Sequence, residues 1–140
     1  MLWVKTFFGI LFQTILLGIF LYLPALTLNW SDAFLLLTIH FLMTILASAY
    51  LLIVKPESIE ARMNYDSKTQ PKEDRLATAL MFSAIFLGLS LAPIDIFHLN
   101  LSSSFEGSIK NIGLAIYIIG MLLFMASINA NEFAETNVNI

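Results

Sequence analysis

The chain has 140 residues, of which 59% are hydrophobic and 12% charged, and its formal net charge is -3. Its mean hydropathy of +0.84 and its apolar share are well above those of an ordinary soluble domain, which argues against a water-soluble helical bundle. There is no cysteine, which excludes disulfides, thiolate metal sites and a cysteine nucleophile.

Four long uncharged segments predict membrane-spanning helices. Each is close to or longer than the ~20 helical residues that cross a hydrocarbon core of about 30 Å. None shows the alternation of apolar and polar residues that is typical of barrel strands, so helices are the expected spanning elements. We predict an all-α polytopic membrane protein with a single transmembrane domain, residues 1–140. The four helices are expected at about residues 4–24, 32–54, 76–96 and 110–131.

The first predicted helix has the features of a permanent span. Its apolar stretch is too long for a secretion signal, and no convincing small-residue cleavage site follows it. Gln13 is its polar residue near mid-depth. In the loop that follows, Trp30 suits the headgroup level of a membrane. Ser31 or Asp32 is expected to cap the second helix by accepting a backbone N–H bond.

The second predicted helix carries a polar face. His40, Thr44 and Ser48 follow one another at intervals of four residues and therefore share one side of the helix. Polar groups in a span normally face protein, because lipid cannot hydrogen-bond them. A hydrogen-bonded packing histidine is therefore the first interpretation of His40. A haem ligand, metal ligand or proton carrier is the alternative, but His98 is predicted near the outer surface, far from His40.

A charged segment, residues 55–75, separates the second and third predicted helices and sets the predicted topology. It holds five of the seven lysines and arginines, and basic residues in short loops mark the cytoplasmic side. The segment and both termini are therefore predicted to be cytoplasmic, an N-in/C-in arrangement. Pro56 suits the first position of a helix, and Glu57 and Glu60 suit its positive end. A short interfacial helix on the inner membrane surface is expected here.

The third and fourth predicted helices carry small residues at helical spacing, which is typical of surfaces where helix backbones approach closely. The residues expected to pack in this way are Ser83, Gly113, Gly120 and Ser127. Asp95 follows Pro93 at the predicted outer end of the third helix. There its carboxylate is expected to cap the helix or to contact the membrane interface.

Several functional motifs are absent from the sequence. It contains no P-loop, no nucleotide-binding glycine pattern, no zinc-protease His-Glu pair and no nucleophile elbow. It has no basic surface suited to nucleic acid, so a nucleic-acid partner is not expected. A small four-helix transporter ranks last among the functions considered. A proton-coupled transporter needs an ionisable group at mid-membrane, where the first helix offers only Gln13.

Five stretches of the sequence together resemble one protein family: LYLPALTLNWSDAF, KPESIEARM, KEDR, PIDIF and NANEFAETNVNI. Their order and spacing resemble those of the bacterial isoprenylcysteine carboxyl methyltransferase-like membrane proteins over essentially the whole chain. The resemblance implies an integral-membrane, S-adenosylmethionine-dependent methyltransferase. Eukaryotic members of the family methylate the carboxylate of a prenylated cysteine. A multi-pass location in a bacterial inner membrane is expected.

In this family, the segment that resembles NEFAETNVNI leads into a catalytic half with an Arg-His-Pro-type motif, which the present sequence lacks. The resemblance therefore implies a truncated, amino-terminal half that binds no cofactor and is inactive alone in the lipid bilayer. A complementing carboxyl-terminal half is the partner it implies. Catalytic residues stay unassigned, and the candidate reaction-face residues are Glu60, Arg62, Asn131 and Phe133. The competing interpretation is a non-enzymatic membrane interaction or scaffold protein, such as a homo-oligomer.

Overall fold

The structure, a computed structural model, describes residues 1–63, 72–101 and 107–130. Of the described residues, 92% are helical and none lies in a strand, which confirms the predicted all-α class. The elements in chain order are α1 (Leu2–Ala25), α2 (Ser31–Val54), α3 (Pro56–Met63), α4 (Lys72–Ile94), a π-helical segment (Asp95–Leu99) and α5 (Gly107–Ala130).

Four of the described helices are long and apolar enough to cross a membrane: α1, α2, α4 with the π-helical segment, and α5. Most of their large apolar side chains are exposed in the single chain, and α5 has no buried residue at all. Lipid tails solvate such side chains, so a bilayer is the environment that this surface suits. The four predicted apolar helices are thereby confirmed, whereas the sidedness of the chain stays a prediction.

The helices pack as an open arrangement around α1. Helix α1 contacts both α2 and α4, whereas α5 makes its main contact with α2. The short helix α3 folds back against the end of α2, where Ile59 packs in a buried cluster with Leu51 and Leu52. Leu2 of α1 and Ile128 of α5 pack against the same cluster. This end of the bundle therefore joins four helices.

Two prolines explain where α2 ends and why α1 forms a hydrogen bond with α4. Lys55 precedes a proline, which disfavours helical backbone, and it is extended with a φ of -142°. Pro56 then starts α3, because the first helical position needs no N–H. Pro24 lies inside α1 and leaves the Phe20 carbonyl without its helical donor. The Ser90 hydroxyl of α4 donates to that carbonyl oxygen over 3.2 Å.

The predicted cap of α2 is wrong. The helix begins at Ser31, so the capping position belongs to Trp30, and no side chain caps it. Ser31 and Asp32 are the first and second helical residues, from which a side chain cannot reach the free N–H groups as a capping residue does. Asp32 instead forms an ion pair with Lys110 of α5, 2.5 Å between Oδ2 and Nζ.

Candidate functional site

Polar side chains from three helices meet at His40, which is buried, whereas Tyr117 is half-buried and Gln13 is exposed. His40 of α2 is 7% exposed, and its Nδ1 atom lies 2.6 Å from the Tyr117 hydroxyl of α5. Its Nε2 atom lies 3.5 Å from the Gln13 side-chain nitrogen of α1, at the outer limit of a hydrogen bond. We call these three residues the polar network. It confirms the interpretation of His40 as a hydrogen-bonded packing residue.

The geometry of the polar network assigns the His40 proton. The amide nitrogen of Gln13 is a donor, so this contact favours the tautomer in which the His40 Nε2 atom accepts. The proton of the neutral imidazole then lies on Nδ1 and is donated to the hydroxyl oxygen of Tyr117. The Tyr117 hydroxyl keeps its own proton, for which the described residues provide no acceptor.

Sequence reasoning missed Tyr117. The sequence analysis weighed only His98 as a second ligand for His40 and assigned no role to a tyrosine within an apolar helix. One sequence feature could have indicated Tyr117: it is the one hydroxyl-bearing side chain between Lys110 and Ser127 of α5. Within the described residues, no group of three or more His, Asp and Glu side chains is placed to hold a metal ion.

A cleft of about 580 Å³ opens beside the polar network, between α2, the π-helical segment and α5. The Asp32–Lys110 ion pair lies on its lining, as do Tyr117 and a set of apolar side chains. The lining also includes Trp30, Leu35, Ile96, Gly113 and Leu114. The volume is within the range of about 300–1,000 Å³ that is typical of small-molecule sites.

A second candidate surface lies at the end of the bundle where α3 is attached. The Lys55 side chain, just before α3, donates to the Asn129 carbonyl oxygen of α5 over 2.8 Å. The Thr6 hydroxyl of α1 lies 3.7 Å from the Met63 sulfur at the end of α3. These contacts and the buried cluster around Ile59 fix α3 against α1, α2 and α5.

The predicted reaction-face residues are partly placed by the structure. Glu60 is exposed on α3, and Arg62 belongs to the same helix. Asn131 and Phe133 lie outside the described residues. The contact between Lys55 and Asn129 nevertheless brings the end of α5, two residues before Asn131, next to the start of α3.

The predicted packing residues lie on exposed surfaces of the single chain. Gly113, Gly120, Ser127 and Ser83 are all exposed. A Cβ atom added at Gly113 or Gly120 would meet nothing within 4 Å. Gly113, Gly120 and Ser127 recur at intervals of seven residues and share one face of α5. Their packing against a second protein stays a prediction.

Two further polar residues stabilise the end of α4. The Asp95 carboxylate accepts the backbone N–H of Leu101 over 2.8 Å and so stabilises the turn after the π-helical segment, whereas the predicted cap of the helix itself is not formed by this bond. His98 lies 2.7 Å from the carbonyl oxygen of Pro24, to which its Nε2–H donates. His98 therefore joins the π-helical segment to the end of α1.

The sequence was compared with protein-family models, curated proteins and solved structures. No family model, curated protein or solved structure matches it.

Proposed function

We propose that residues 1–140 form the membrane-embedded part of a methyltransferase of the isoprenylcysteine carboxyl methyltransferase-like type. In this proposal, another segment or chain supplies the binding site for S-adenosylmethionine, because no Arg-His-Pro motif occurs in these residues. The chain itself positions α3 beside the end of α5. The observation that carries the proposal is the hydrogen bond from Lys55 to the Asn129 carbonyl oxygen.

That hydrogen bond joins two stretches on which the resemblance rests. KPESIEARM begins at Lys55, and NANEFAETNVNI begins at Asn129. The stretches are separated by more than 60 residues of sequence but start side by side at one end of the bundle. This is the arrangement expected if both contribute to one reaction face.

Rigid attachment of α3 suits the chemistry of methyl transfer. The methyl donor must be held in line with the acceptor at near-attack distance, and this orientation is worth up to about 7–11 kcal/mol of the barrier. The buried Ile59 and the Lys55 contact restrain α3 from two directions. Exposed Glu60 is then presented at a fixed position. We assign it a positioning role toward the donor-binding part.

Co-expression tests this proposal. The chain is produced with a carboxyl-terminal half from a family member that carries the Arg-His-Pro motif, and binding of radiolabelled S-adenosylmethionine is measured. We expect binding by the pair and none by the chain alone. Asn131→Ala should weaken the binding. No binding by the pair, or unchanged binding after Asn131→Ala, would contradict the proposal.

A matched pair of lysine variants tests the contact itself. Lys55→Met removes the donor to the Asn129 carbonyl. Hydrogen bonds between membrane helices average about 0.6 kcal/mol and reach ~1.7 kcal/mol, so donor binding by the pair should fall about threefold to twentyfold. Lys72→Met removes an exposed lysine from the first turn of α4 and should leave binding unchanged. Equal effects of the two variants would count against a role for the contact.

A non-enzymatic interaction protein is the second candidate, and the exposed face of α5 favours it. In this case, the face with Gly113, Gly120 and Ser127 packs against a second copy. Detergent-stable oligomers should form and should weaken when Gly113 and Gly120 are both changed to leucine. Gly9→Leu on α1 is the matched control, since its added side chain also meets open space. Light scattering of the purified chain measures the mass.

A further inference from the structure

We infer that the cleft between α2, the π-helical segment and α5 binds one zwitterionic glycerophospholipid with a primary ammonium group, as in phosphatidylethanolamine. The inference concerns the end of the bundle away from α3 and does not depend on the proposed methyltransferase. Three features of the cleft carry it: its apolar lining, the charges at one end, and an unused hydrogen-bond donor at the other.

The apolar lining and the length of the cleft suit an acyl chain. Leu35 of α2, Ile96 of the π-helical segment and Leu114 of α5 form parts of its walls. Lys110 and Tyr117 are seven residues apart on α5, which places them roughly 10 Å apart along the helix axis. Half of a hydrocarbon core of about 30 Å is ~15 Å. The cleft therefore spans most of one leaflet.

Charge complementarity selects the headgroup. Asp32 and Lys110 together carry no net charge, so a purely anionic headgroup would meet the Asp32 carboxylate as well as the Lys110 ammonium. A zwitterion matches both, with its phosphate against Lys110 and a primary ammonium that donates N–H hydrogen bonds to the Asp32 carboxylate. The two side chains are 49% and 55% exposed, and exposed ion pairs are weak. The headgroup can therefore separate them at little cost.

The aromatic residues at one end of the cleft suit the headgroup level of a membrane. Trp30 lines the cleft and packs edge-to-face against Phe97, with ring centroids 5.3 Å apart. Tryptophan is enriched at membrane interfaces, where its ring lies between apolar chains and polar headgroups. The Phe97 contact holds the Trp30 ring in place before a lipid arrives.

Tyr117 supplies a donor at the inner end. In the His40 tautomer that the Gln13 contact favours, the Tyr117 hydroxyl oxygen accepts from His40, and the Tyr117 proton has no acceptor among the described residues. An unsatisfied donor is costly in a medium without water. The ester carbonyls of a glycerophospholipid lie between its headgroup and its chains and are acceptors. An ester-linked lipid therefore satisfies Tyr117, whereas an ether-linked lipid does not.

Native mass spectrometry of the full chain, loaded with equimolar phosphatidylethanolamine and phosphatidylglycerol, tests the inference. We expect one retained lipid and about tenfold preference for phosphatidylethanolamine. Asp32→Asn should reduce that preference to about threefold or less, because the carboxylate no longer repels the anionic lipid. Equal retention of both lipids by the unsubstituted chain would overturn the inference.

Two glycine variants locate the lipid. Gly113 lines the cleft, and its added Cβ would meet nothing within 4 Å, so a leucine there projects into the cleft without a clash. Gly113→Leu should reduce lipid retention at least tenfold. Gly120 also meets open space but is outside the cleft lining, so Gly120→Leu should retain the lipid. Helix propensity rises in both variants, which keeps folding comparable.

Two outcomes of the glycine pair would overturn the inference. Equal retention by the chain and by Gly113→Leu would place the lipid elsewhere. If the unsubstituted chain forms a dimer and both variants lose the dimer together with the lipid, the cleft would be assigned to a second copy of the chain.

The ether-linked analogue of the same lipid provides a separate measurement on the unsubstituted chain. It should bind about threefold to tenfold more weakly, and equal binding would exclude the Tyr117 contact.

Discussion

Pro24 leaves one backbone carbonyl of α1 without its helical hydrogen bond, and a side chain of α4 supplies the missing donor. In water, the Phe20 carbonyl left by a missing proline N–H would be solvated, but in lipid it needs a protein donor. Ser90 provides that donor, and the stacked rings of Phe20 and Phe86, 4.3 Å apart, bring the two helices together at the same level. The proline is tolerated because another helix completes its hydrogen bonding.

Removal of the Ser90 hydroxyl should destabilise the bundle only while Pro24 is present. Ser90→Ala is expected to lower the free energy of unfolding by about 0.6–1.7 kcal/mol, the range for hydrogen bonds between membrane helices. In a Pro24→Ala background, residue 24 has an N–H that pairs with Phe20, and Ser90→Ala should then cost close to nothing. Unfolding in mixtures of dodecyl sulfate and a mild detergent measures both values.

Ser83→Ala is the control for this cycle. Ser83 is on the same helix but exposed, so its loss should leave the unfolding free energy unchanged. If Ser90→Ala costs the same with and without Pro24, the hydroxyl does not serve the carbonyl that the proline leaves free.

The hydrogen bond between His40 and Tyr117 leads to a second prediction. Tyr117→Phe removes a contact of 2.6 Å and leaves the His40 Nδ1 proton unpaired, so the unfolding free energy should fall by about 0.6–1.7 kcal/mol. In a His40→Leu background the same change should cost little. Tyr50→Phe, at an exposed tyrosine of α2, is the control. An equal cost of Tyr117→Phe in both backgrounds would contradict the pairing.

The sequence predicts that His40 needs hydrogen-bond partners, but it does not identify them. His40 within an apolar helix, followed by Thr44 and Ser48, predicts a buried face that needs hydrogen bonds. The identity of the partner depends on which helix lies beside α2 and at what height. That information is tertiary, and no spacing in α5 distinguishes a Tyr117 that faces His40 from one that faces lipid.

At the scale of elements, α3 shows how a short amphipathic helix is fixed to a membrane bundle. Its eight residues are too few for a stable helix in isolation. Ile59 is 8% exposed against Leu51 and Leu52, and the Lys55 side chain ties the start of α3 to α5. Tertiary contacts therefore supply the stability of α3.

Truncation of Ile59 should release α3. Burial of this side chain is worth about 2 kcal/mol, so Ile59→Ala should raise the opened fraction of α3 by at least tenfold. Cleavage after Glu57 and Glu60 by a glutamate-specific protease reports that fraction. Ile53→Ala removes an equal volume from a side chain of α2 that is 72% exposed, and the cleavage rate should not change. Equal rates in the two variants would show that Ile59 does not hold α3.

Helix α5 is attached differently from the other spans. None of its residues is buried, but polar contacts join it to the rest of the chain near both ends and in between. These contacts are Lys110 with Asp32, Tyr117 with His40, and the Asn129 carbonyl with Lys55. The sequence predicts the helix from its apolar run, but these attachments come from residues more than 70 positions away, which periodicity cannot reveal.

For the whole molecule, the apolar runs predict four helices suited to a bilayer because each run is long enough to cross it. The sequence prediction failed at a boundary: α2 begins one residue earlier than a cap at Ser31 would require. A shift of one residue is enough to move Ser31 out of the capping position. Local signals place helices more securely than they place side-chain roles.

The predicted topology can be tested with introduced cysteines, because the chain has none of its own. Glu60→Cys is on exposed α3, and Leu28→Cys is in the exposed loop between α1 and α2. In intact cells, a membrane-impermeant maleimide should label Leu28→Cys and should label Glu60→Cys only after permeabilisation. The reverse pattern would overturn the N-in/C-in arrangement.

The partnership of Pro24 with α4 also concerns the order in which the protein is made. The donor for the Phe20 carbonyl is 70 residues further along the chain. At ~5–20 residues per second, Phe20 is synthesised about 4–14 seconds before Ser90. During that interval α1 carries an unmet acceptor, which favours its retention beside the insertion machinery until the third span emerges.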